Sequence, residues 1–539
     1  MSKGLLRSTF TVGGMTLISR IMGFLRDMIV ARYFGASNGA DAFFVAFRIP
    51  NFLRRMFAEG SFSQAFVPVL AEHKTLYGHE EVCALIGRVA GVLGLVVIGI
   101  TILGVLAAPF LVMVFAPGFT SEPVRYGLTV EMLHITFPYL AFISLAALAG
   151  GILNTYGRFG VPAFTPVFLN LAMIAGALLL APHLEHPVTG LAWGVLLGGA
   201  LQLMVQLPSV YRLGLLTWPR FDPNDVTVRK ILRLMVPTLF GSSVAQVNLL
   251  FDTLIASFLV TGSVSWLYYS DRLLEFPLGV FGIAIATVIL PKLSADNALR
   301  DAEGFTRTLD WALRLVVLIG VPAGLALALL GGPLLTTLFQ YGEFASNDTQ
   351  MAARSLMAFA VGLPAFILIK VLVPGFYSRQ DTKTPVRIGI TAMLSNMVLN
   401  VLLVFPLAHA GLALATTLSA YLNAGLLYRS LQRAGVYVPL PGWRDYLLRA
   451  ALANLAMGAV LWWGTGNLGD WMAWSVWVRG LHLLFWIVVG IGIYFATLTL
   501  SGVRVRAILV GRHHMVPEGG VSEGASGDQG PSEKNKGLG

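Results

Sequence analysis

Apolar residues in this chain do not alternate with polar ones. They come in long runs, many near the roughly 20 residues that a helix needs to cross a bilayer. The runs and the short loops between them predict helices over 8–34, 41–70, 84–115, 129–155, 163–182, 189–212, 230–260, 266–293, 309–339, 350–377, 384–406, 411–433, 446–464 and 475–500. The pattern therefore predicts an all-α polytopic membrane protein with about fourteen helices, several long enough to require tilt. The stretch 512–539 is rich in Gly, Ser, Glu and Lys, and is expected to be disordered.

Composition agrees with the pattern. Hydrophobic residues make up 56% of the 539 and charged residues 12%, and mean hydropathy is +0.75. A soluble chain of this length would need about twice that charge to cover its surface. The formal net charge of +10 sits at span edges and within a few spans, so it does not indicate a nucleic-acid partner. Cys83 is the single cysteine, which excludes an internal disulfide and a zinc cluster. Met1 to Gly35 does not read as a cleavable signal, because Arg20, Arg26 and Asp27 interrupt the apolar stretch. No phosphate-loop motif supports ATP hydrolysis, and His134, His409 and His482 lack metal spacing. No cofactor is expected.

Loop charges give an orientation. Segments 183–189, 262–265, 341–350 and 406–411 hold no Lys or Arg. The alternate loops carry Arg212, Arg220, Arg229 and Lys230; Lys292, Arg300 and Arg307; Arg379, Lys383 and Arg387; and Arg429, Arg433, Arg444 and Arg449. The positive-inside rule then places both termini in the cytoplasm, which an even number of spans requires.

The chain also repeats itself. Gly190-Leu191-Ala192 recurs as Gly411-Leu412-Ala413, and Gly214 matches Gly435. Tyr156-x-Arg158 recurs as Tyr377-x-Arg379, each followed by Thr-Pro-Val, at 165–167 and 384–386. Asp27 pairs with Asp252. These offsets divide the chain into an N-terminal lobe (1–220), a second lobe (221–440), two additional helices (441–511) and a cytoplasmic tail (512–539). Two parallel six-helix repeats around a central cavity form a transporter architecture.

Charges inside spans are costly and mark function. They concentrate here in three spans. The first holds Arg20, Arg26 and Asp27; the second Asp41, Arg48, Arg54, Arg55 and Glu59; the eighth Asp271, Arg272 and Glu275. On a straight helix Asp41, Arg48, Arg55 and Glu59 form one stripe, but Pro50 is expected to kink that helix. Snorkelling at helix ends is the alternative reading for Arg48, Arg55 and Glu59. The excess of arginine over acid suits an anionic ligand, and guanidinium forks suit phosphate. Asp252 is a candidate for coupling to a cation or proton.

Several segments resemble one family. They are Ser19-Arg20 through Gly23-Phe24 to Arg26-Asp27, the run Asp41 to Arg48, and Asn51 through Arg54-Arg55 to Glu59-Gly60. Others are Gly262 to Trp266, Tyr268 to Arg272 with Glu275-Phe-Pro277, and Pro374 to Asp381. Together they resemble the MurJ (MviN) lipid II flippases of the MOP transporter superfamily. The resemblance implies a bacterial inner-membrane flippase that moves undecaprenyl-pyrophosphate-linked disaccharide-pentapeptide from the cytoplasmic to the periplasmic leaflet. Lipid II and membrane lipids are the implied partners, with the cell-wall synthesis machinery as a further candidate. The implied substrate residues are Arg20, Arg26, Asp41, Arg54 and Arg272, with Asp27, Arg48 and Glu59 in support. The last two helices are implied to shelter the lipid tail. Some relatives hold sodium between spans seven, eleven and twelve; Asp252 matches one such position, while Met393 and Met397 stand where ligands are expected.

Two rival readings remain. A related exporter of another lipid-linked sugar or of a cationic drug shares the fold, but a drug-cation exporter should carry acids in excess. A membrane scaffold has no reason to concentrate charge in spans one, two and eight.

Overall fold

The computed structural model describes the backbone of residues 3–503 with Val505 and Ile508; side chains of 3–12, 57–60, 238, 240–245 and 283 lie outside the described set. The predicted tail 512–539 and the side chain of Glu59 therefore fall outside it. No strand occurs among the described residues.

Among the described residues, ten helical runs are long and apolar enough to cross a membrane. One of them, Lys383–Arg433, contains two helices that meet at Ala408, where the backbone (φ 48, ψ −130) leaves the helical region. Three further long helices complete a set of fourteen. In chain order these are α1 (Lys3–Phe34), α2 (38–76), α3 (His79–Leu106), α4 (Pro123–Thr155), α5 (Gly160–His183), α6 (Thr189–Tyr211) and α7 (Val226–Ala256). They continue with α8 (Ser263–Ala298), α9 (Ala302–Leu329), α10 (Ser346–Tyr377), α11 (383–407), α12 (409–433), α13 (Trp443–Thr465) and α14 (Val476–Leu500). The order and number follow the hydrophobic pattern.

Two predicted spans are shorter than drawn. The expected helix 84–115 breaks at Ala107 (φ −87, ψ 4) before a short helix, Ala108–Phe115. The expected helix 309–339 breaks at Leu330 (φ −89, ψ 2) before Gly331–Leu338. Positions 107 and 330 are 223 apart, so the same irregularity recurs in each repeat. Pro109 and Gly331-Gly332-Pro333 stand at the starts of the two short helices, a break signal that hydrophobicity alone does not read. Pro50 does not end its helix: α2 stays α-helical through Arg54 and then widens into a π-helical turn, Arg55–Phe62. α8 widens likewise at Leu278–Gly282. Such turns commonly mark functional positions in helices.

The two repeats meet along a polar seam near the N-termini of α2 and α8. Asp41 is 1% exposed, and its carboxylate accepts from the backbone N–H of Gly262 (2.7 Å) and Ser265 (2.9 Å) and from Ser265 Oγ (2.6 Å). An α2 carboxylate thus caps the start of α8, satisfying orphan N–H groups at the positive end of the helix dipole. Gly262 takes φ +95, and a Cβ there would fall 2.6 Å from the Trp266 ring. Nearby, Asn38 Oδ1 accepts from Arg125 Nε (3.0 Å) and Thr261 Oγ1 (2.8 Å), and Arg125 also bonds Thr261 directly. Glu343 N donates to Arg32 O at 2.9 Å. Phe44 stacks on Tyr268 with ring centres 4.0 Å apart.

The helices outside the repeat are fastened to α9. Buried Asp310 pairs with Arg314 at 2.7 Å and accepts from Tyr437 Oη (2.8 Å) and Trp443 Nε1 (2.6 Å). Tyr494 of α14 donates to Leu318 O at 2.9 Å. Buried Arg479 donates to the carbonyls of Met472 (2.6 Å), Trp474 (2.9 Å) and Thr336 (3.1 Å).

Asp41→Ala leaves the start of α8 uncapped and removes a buried acceptor, a loss of about 1–3 kcal/mol. Ser263 is fully buried and its Oγ has no partner, so Ser263→Cys is a near-isosteric reporter. In a Cys83→Ser background, thiol labelling at 263 should rise about tenfold or more on adding Asp41→Ala. Unchanged labelling would show that Asp41 does not hold the seam.

Candidate functional site

α1 brings Arg26 and Asp27 to the junction of the repeats, facing Tyr268 and Arg272 of α8. Asp27 is 2% exposed. Its Oδ1 accepts from Arg26 Nε (3.0 Å) and Nη2 (2.6 Å) and from Tyr268 Oη (2.9 Å). Its Oδ2 lies 3.3 Å from Arg272 Nε. One carboxylate from the first repeat is therefore shared between two arginines, one from each repeat. Arg26 Nη2 also donates to Tyr268 Oη (2.9 Å), and its Nη1 to Asn170 Oδ1 (3.1 Å). Asn170 of α5 in turn donates to Ser19 O (3.2 Å), tying α1 to α5. Arg272 sits over the Tyr268 ring, 5.0 Å from its centre, and pairs with Glu275 at 2.7 Å. Such buried charges persist only when paired and hydrogen-bonded.

This cluster forms the inner wall of a cavity of about 450 Å³ between α1, α5, α8 and α10. Its charged lining comprises Arg20, Arg26, Arg272 and Lys370 against Asp27 and Glu275, a formal excess of two positive charges. Arg20 is exposed and lies against Gly279 in the widened turn of α8. The absence of a side chain at Gly279 makes that approach possible.

The structure thus brings together Arg20, Arg26, Asp27 and Arg272. It does not place Asp41 there, because that carboxylate is spent on the seam. Arg54 lies outside this lining; its Nε donates to Asn51 Oδ1 at 2.8 Å. Arg48 belongs to a second, smaller cavity of about 160 Å³, lined also by Asn248, Asp252, Asp271 and Thr416. Its Nη1 donates to Thr253 Oγ1 at 2.6 Å.

Asp252 there accepts from Asn400 Nδ2 at 2.6 Å, and Asn400 Nδ2 also reaches Asn396 Oδ1 at 2.8 Å. Asn396 Nδ2 lies 3.3 Å from Thr416 Oγ1. Asn400 Oδ1 is buried without a partner. A carboxylate, amide oxygens and a hydroxyl suit a hard monovalent cation, and an orphaned acceptor fits that use. No cluster of three or more His, Cys, Asp or Glu suited to a metal exists among the described residues. On α11 the side chain bonded to Asp252 is Asn400, held in turn by Asn396 one turn earlier; no bond from Met393 or Met397 to Asp252 is found among the described residues.

Sequence reasoning missed Tyr268, Asn170, Lys370, Asn396 and Asn400. Lys370 had a signal, a lysine within an apolar run. The others are uncharged, and only three-dimensional proximity distinguishes them. Of the tryptophans in and between the last two helices, Trp462, Trp463 and Trp477 are exposed, while Trp474 packs on Trp471 and His482.

Two fused helical repeats, joined at a cation-rich cavity in a multi-pass membrane chain, define a transporter rather than an enzyme. The model of the lipid II flippase MurJ family matches residues 30–481, and this chain belongs to that family. It is 50% identical over 513 residues to a probable lipid II flippase MurJ of Vibrio cholerae, covering 94% of this chain and 98% of the relative. It is 44% identical over 471 residues to the lipid II flippase MurJ of Burkholderia cenocepacia, covering 87% and 91%. Among solved structures it resembles a lipid II flippase MurJ in an inward closed conformation, with TM-score 0.77, 27% identity, and 91% and 98% of the two chains covered. An inward-facing multidrug resistance MATE family transporter of the MOP superfamily shares the fold, with TM-score 0.66 at 15% identity over 79% and 98%.

Tyr268→Phe keeps the stacking on Phe44 but deletes the hydroxyl that joins Arg26 to Asp27. It should cost about 1–3 kcal/mol, read as a lower unfolding midpoint. Its effect should be non-additive with Asp27→Asn by about 0.5–3 kcal/mol. Simple additivity in that cycle would show that the hydroxyl acts independently of Asp27.

Proposed function

We propose that this chain flips lipid II from the cytoplasmic to the periplasmic leaflet of the bacterial inner membrane by alternating access of its two six-helix lobes. The observation that carries this reading is the charge of the α1–α8 cavity. Its excess of two cations matches a diphosphate diester, which is doubly anionic. Arg26 and Arg272 offer it planar forks, and Arg20 and Lys370 extend the positive surface along the same cavity. A diphosphate crossing the bilayer interior needs its charge met throughout. An exporter of cations would need the opposite excess.

Asp27 supplies the switch in this mechanism. Without substrate its carboxylate balances Arg26 and Arg272 and ties the lobes together. The diphosphate competes for the same guanidinium groups, so its arrival loosens the contact between α1 and α8. The seam at Asp41, Asn38 and Arg125 closes one face of the site in this conformation, and opening it completes the cycle. Loop charge supports cytoplasmic termini, which makes the closed face the periplasmic one. The Asp252, Asn396, Asn400 and Thr416 oxygens would hold a coupling monovalent cation, which would supply a driving gradient. α13 and α14, pinned to α9, would carry the polyprenyl tail alongside the second lobe, with the exposed tryptophans anchoring at the interface.

Complementation of a flippase-depleted strain tests the site. Arg26→Ala and Arg272→Ala should each reduce flipping by about 100-fold or more, since either removes one of the two guanidinium forks that would meet the diphosphate, while the protein still inserts. Arg→Lys at the same positions should be partly tolerated, because charge is kept and the fork is lost. Lys370→Ala, at the cavity edge, should cause a smaller loss. Normal growth with Arg26→Ala or Arg272→Ala at native expression would remove the shared anion site.

Deletion of 446–500 should abolish growth in the same assay with membrane levels retained. Intact flipping after deletion would refute the tail-sheltering role.

A further inference from the structure

Arg48 stands apart from the other arginines. It is carried by α2, in the first repeat, yet its observed partner is Thr253 of α7, in the second, at 2.6 Å. It lines the 160 Å³ cavity with Asp252 and Asp271. Asp271 has further cations beyond the cavity, Arg272 and Arg55. Asp252 instead has amide and hydroxyl neighbours, with Arg48 as the cation beside it. Within the small cavity one guanidinium therefore faces two carboxylates.

We propose that Arg48 is a positioning residue that couples cation occupancy at Asp252 to separation of the lobes. The inference rests on the cation-coupling reading above and adds a direction to it. With the oxygen cluster empty, the two carboxylates draw Arg48 into the second lobe and hold α2 against α7. A monovalent metal cation on Asp252, Asn400 and Thr416 takes up the same negative charge and repels the guanidinium across the cavity. Cation and Arg48 are therefore competitors. By linkage, whatever the cation does to the hold on Arg48, removal of Arg48 must do to cation affinity in return. The competition gives a cation bound inside one lobe a mechanical effect on the other, with no contact to the substrate cavity required.

The experiment uses the full chain in lipid nanodiscs with a Cys83→Ser background. Sodium chloride is titrated against choline chloride at constant ionic strength, and half-saturation is read from the unfolding midpoint. Spin labels at Val124 and Val260, both exposed and one in each repeat beside the seam, report the lobe distance. In the parent, sodium should shift the midpoint and lengthen the distance, and Asp252→Asn should abolish both responses. Arg48→Gln should lower the half-saturating sodium concentration about tenfold and lengthen the distance before sodium is added. Arg48→Lys keeps the charge and should stay close to the parent, which separates charge from packing. A sodium response with unchanged or weaker affinity in Arg48→Gln would overturn the role of Arg48 alone. No response to sodium, lithium or potassium in the parent, or a response to pH only, would overturn the cation-coupling reading and this inference with it.

Discussion

The structure depends on one buried carboxylate. Asp27 sits 2% exposed between Arg26 of its own helix and Arg272 of the other repeat, with the Tyr268 hydroxyl closing the group. Removing one member of such a buried pair costs about 3–5 kcal/mol, because the partner is left charged and unmatched. That same penalty makes the cluster suitable for transport. Arg272 also has Glu275, but the buried Arg26 has Asp27 as its ion-pair partner, so in the proposed mechanism Arg26 is held by Asp27 until another anion replaces it. The helices that carry the two arginines are then free to part.

Other features of the chain arrange themselves around this exchange. Asn170 fixes the Arg26 guanidinium and the α1 backbone to α5, so that Arg26 is presented rather than mobile. The widened turn of α8 places Gly279 against Arg20. The seam at Asp41 closes one end of the lobe junction by capping a helix of the opposite repeat, a contact broken only when the lobes separate. Arg48, bonded to Thr253 and facing Asp252 and Asp271 across a small cavity, forms a third contact between the repeats. The lobes are thus joined by hydrogen-bonded charges at three levels, in addition to apolar packing. Polar joints of this kind can be exchanged for other ligands, whereas a dry interface has nothing to trade.

Much of this was legible in the sequence, for identifiable reasons. Long apolar runs give membrane helices because the bilayer leaves the backbone no other hydrogen-bonding solution. The repeat was visible in short motifs, and the break at Ala107 recurs at Leu330. Charges within spans pointed to α1, α2 and α8 because burying them is costly enough to require a purpose. What was not legible depended on side-chain direction. Asp41 and Arg54 looked equivalent to Arg26 as charges in lead helices, yet Asp41 faces a helix start and Arg54 bonds to Asn51. The π-helical turn after Arg54 shifts the register of everything beyond it, and no residue pattern announces it. Asn396 and Asn400 carry no signal as neutral amides until the fold brings Asn400 to Asp252 and Asn396 to Asn400.

The central claim is that the diphosphate takes the place of Asp27 between Arg26 and Arg272. A structure of this chain with lipid II bound tests it most directly. The account predicts phosphate oxygens within hydrogen-bond distance of both guanidinium groups, with the Asp27 carboxylate no longer bridging them. A diphosphate bound elsewhere, with the Arg26–Asp27–Arg272 cluster intact, would contradict it.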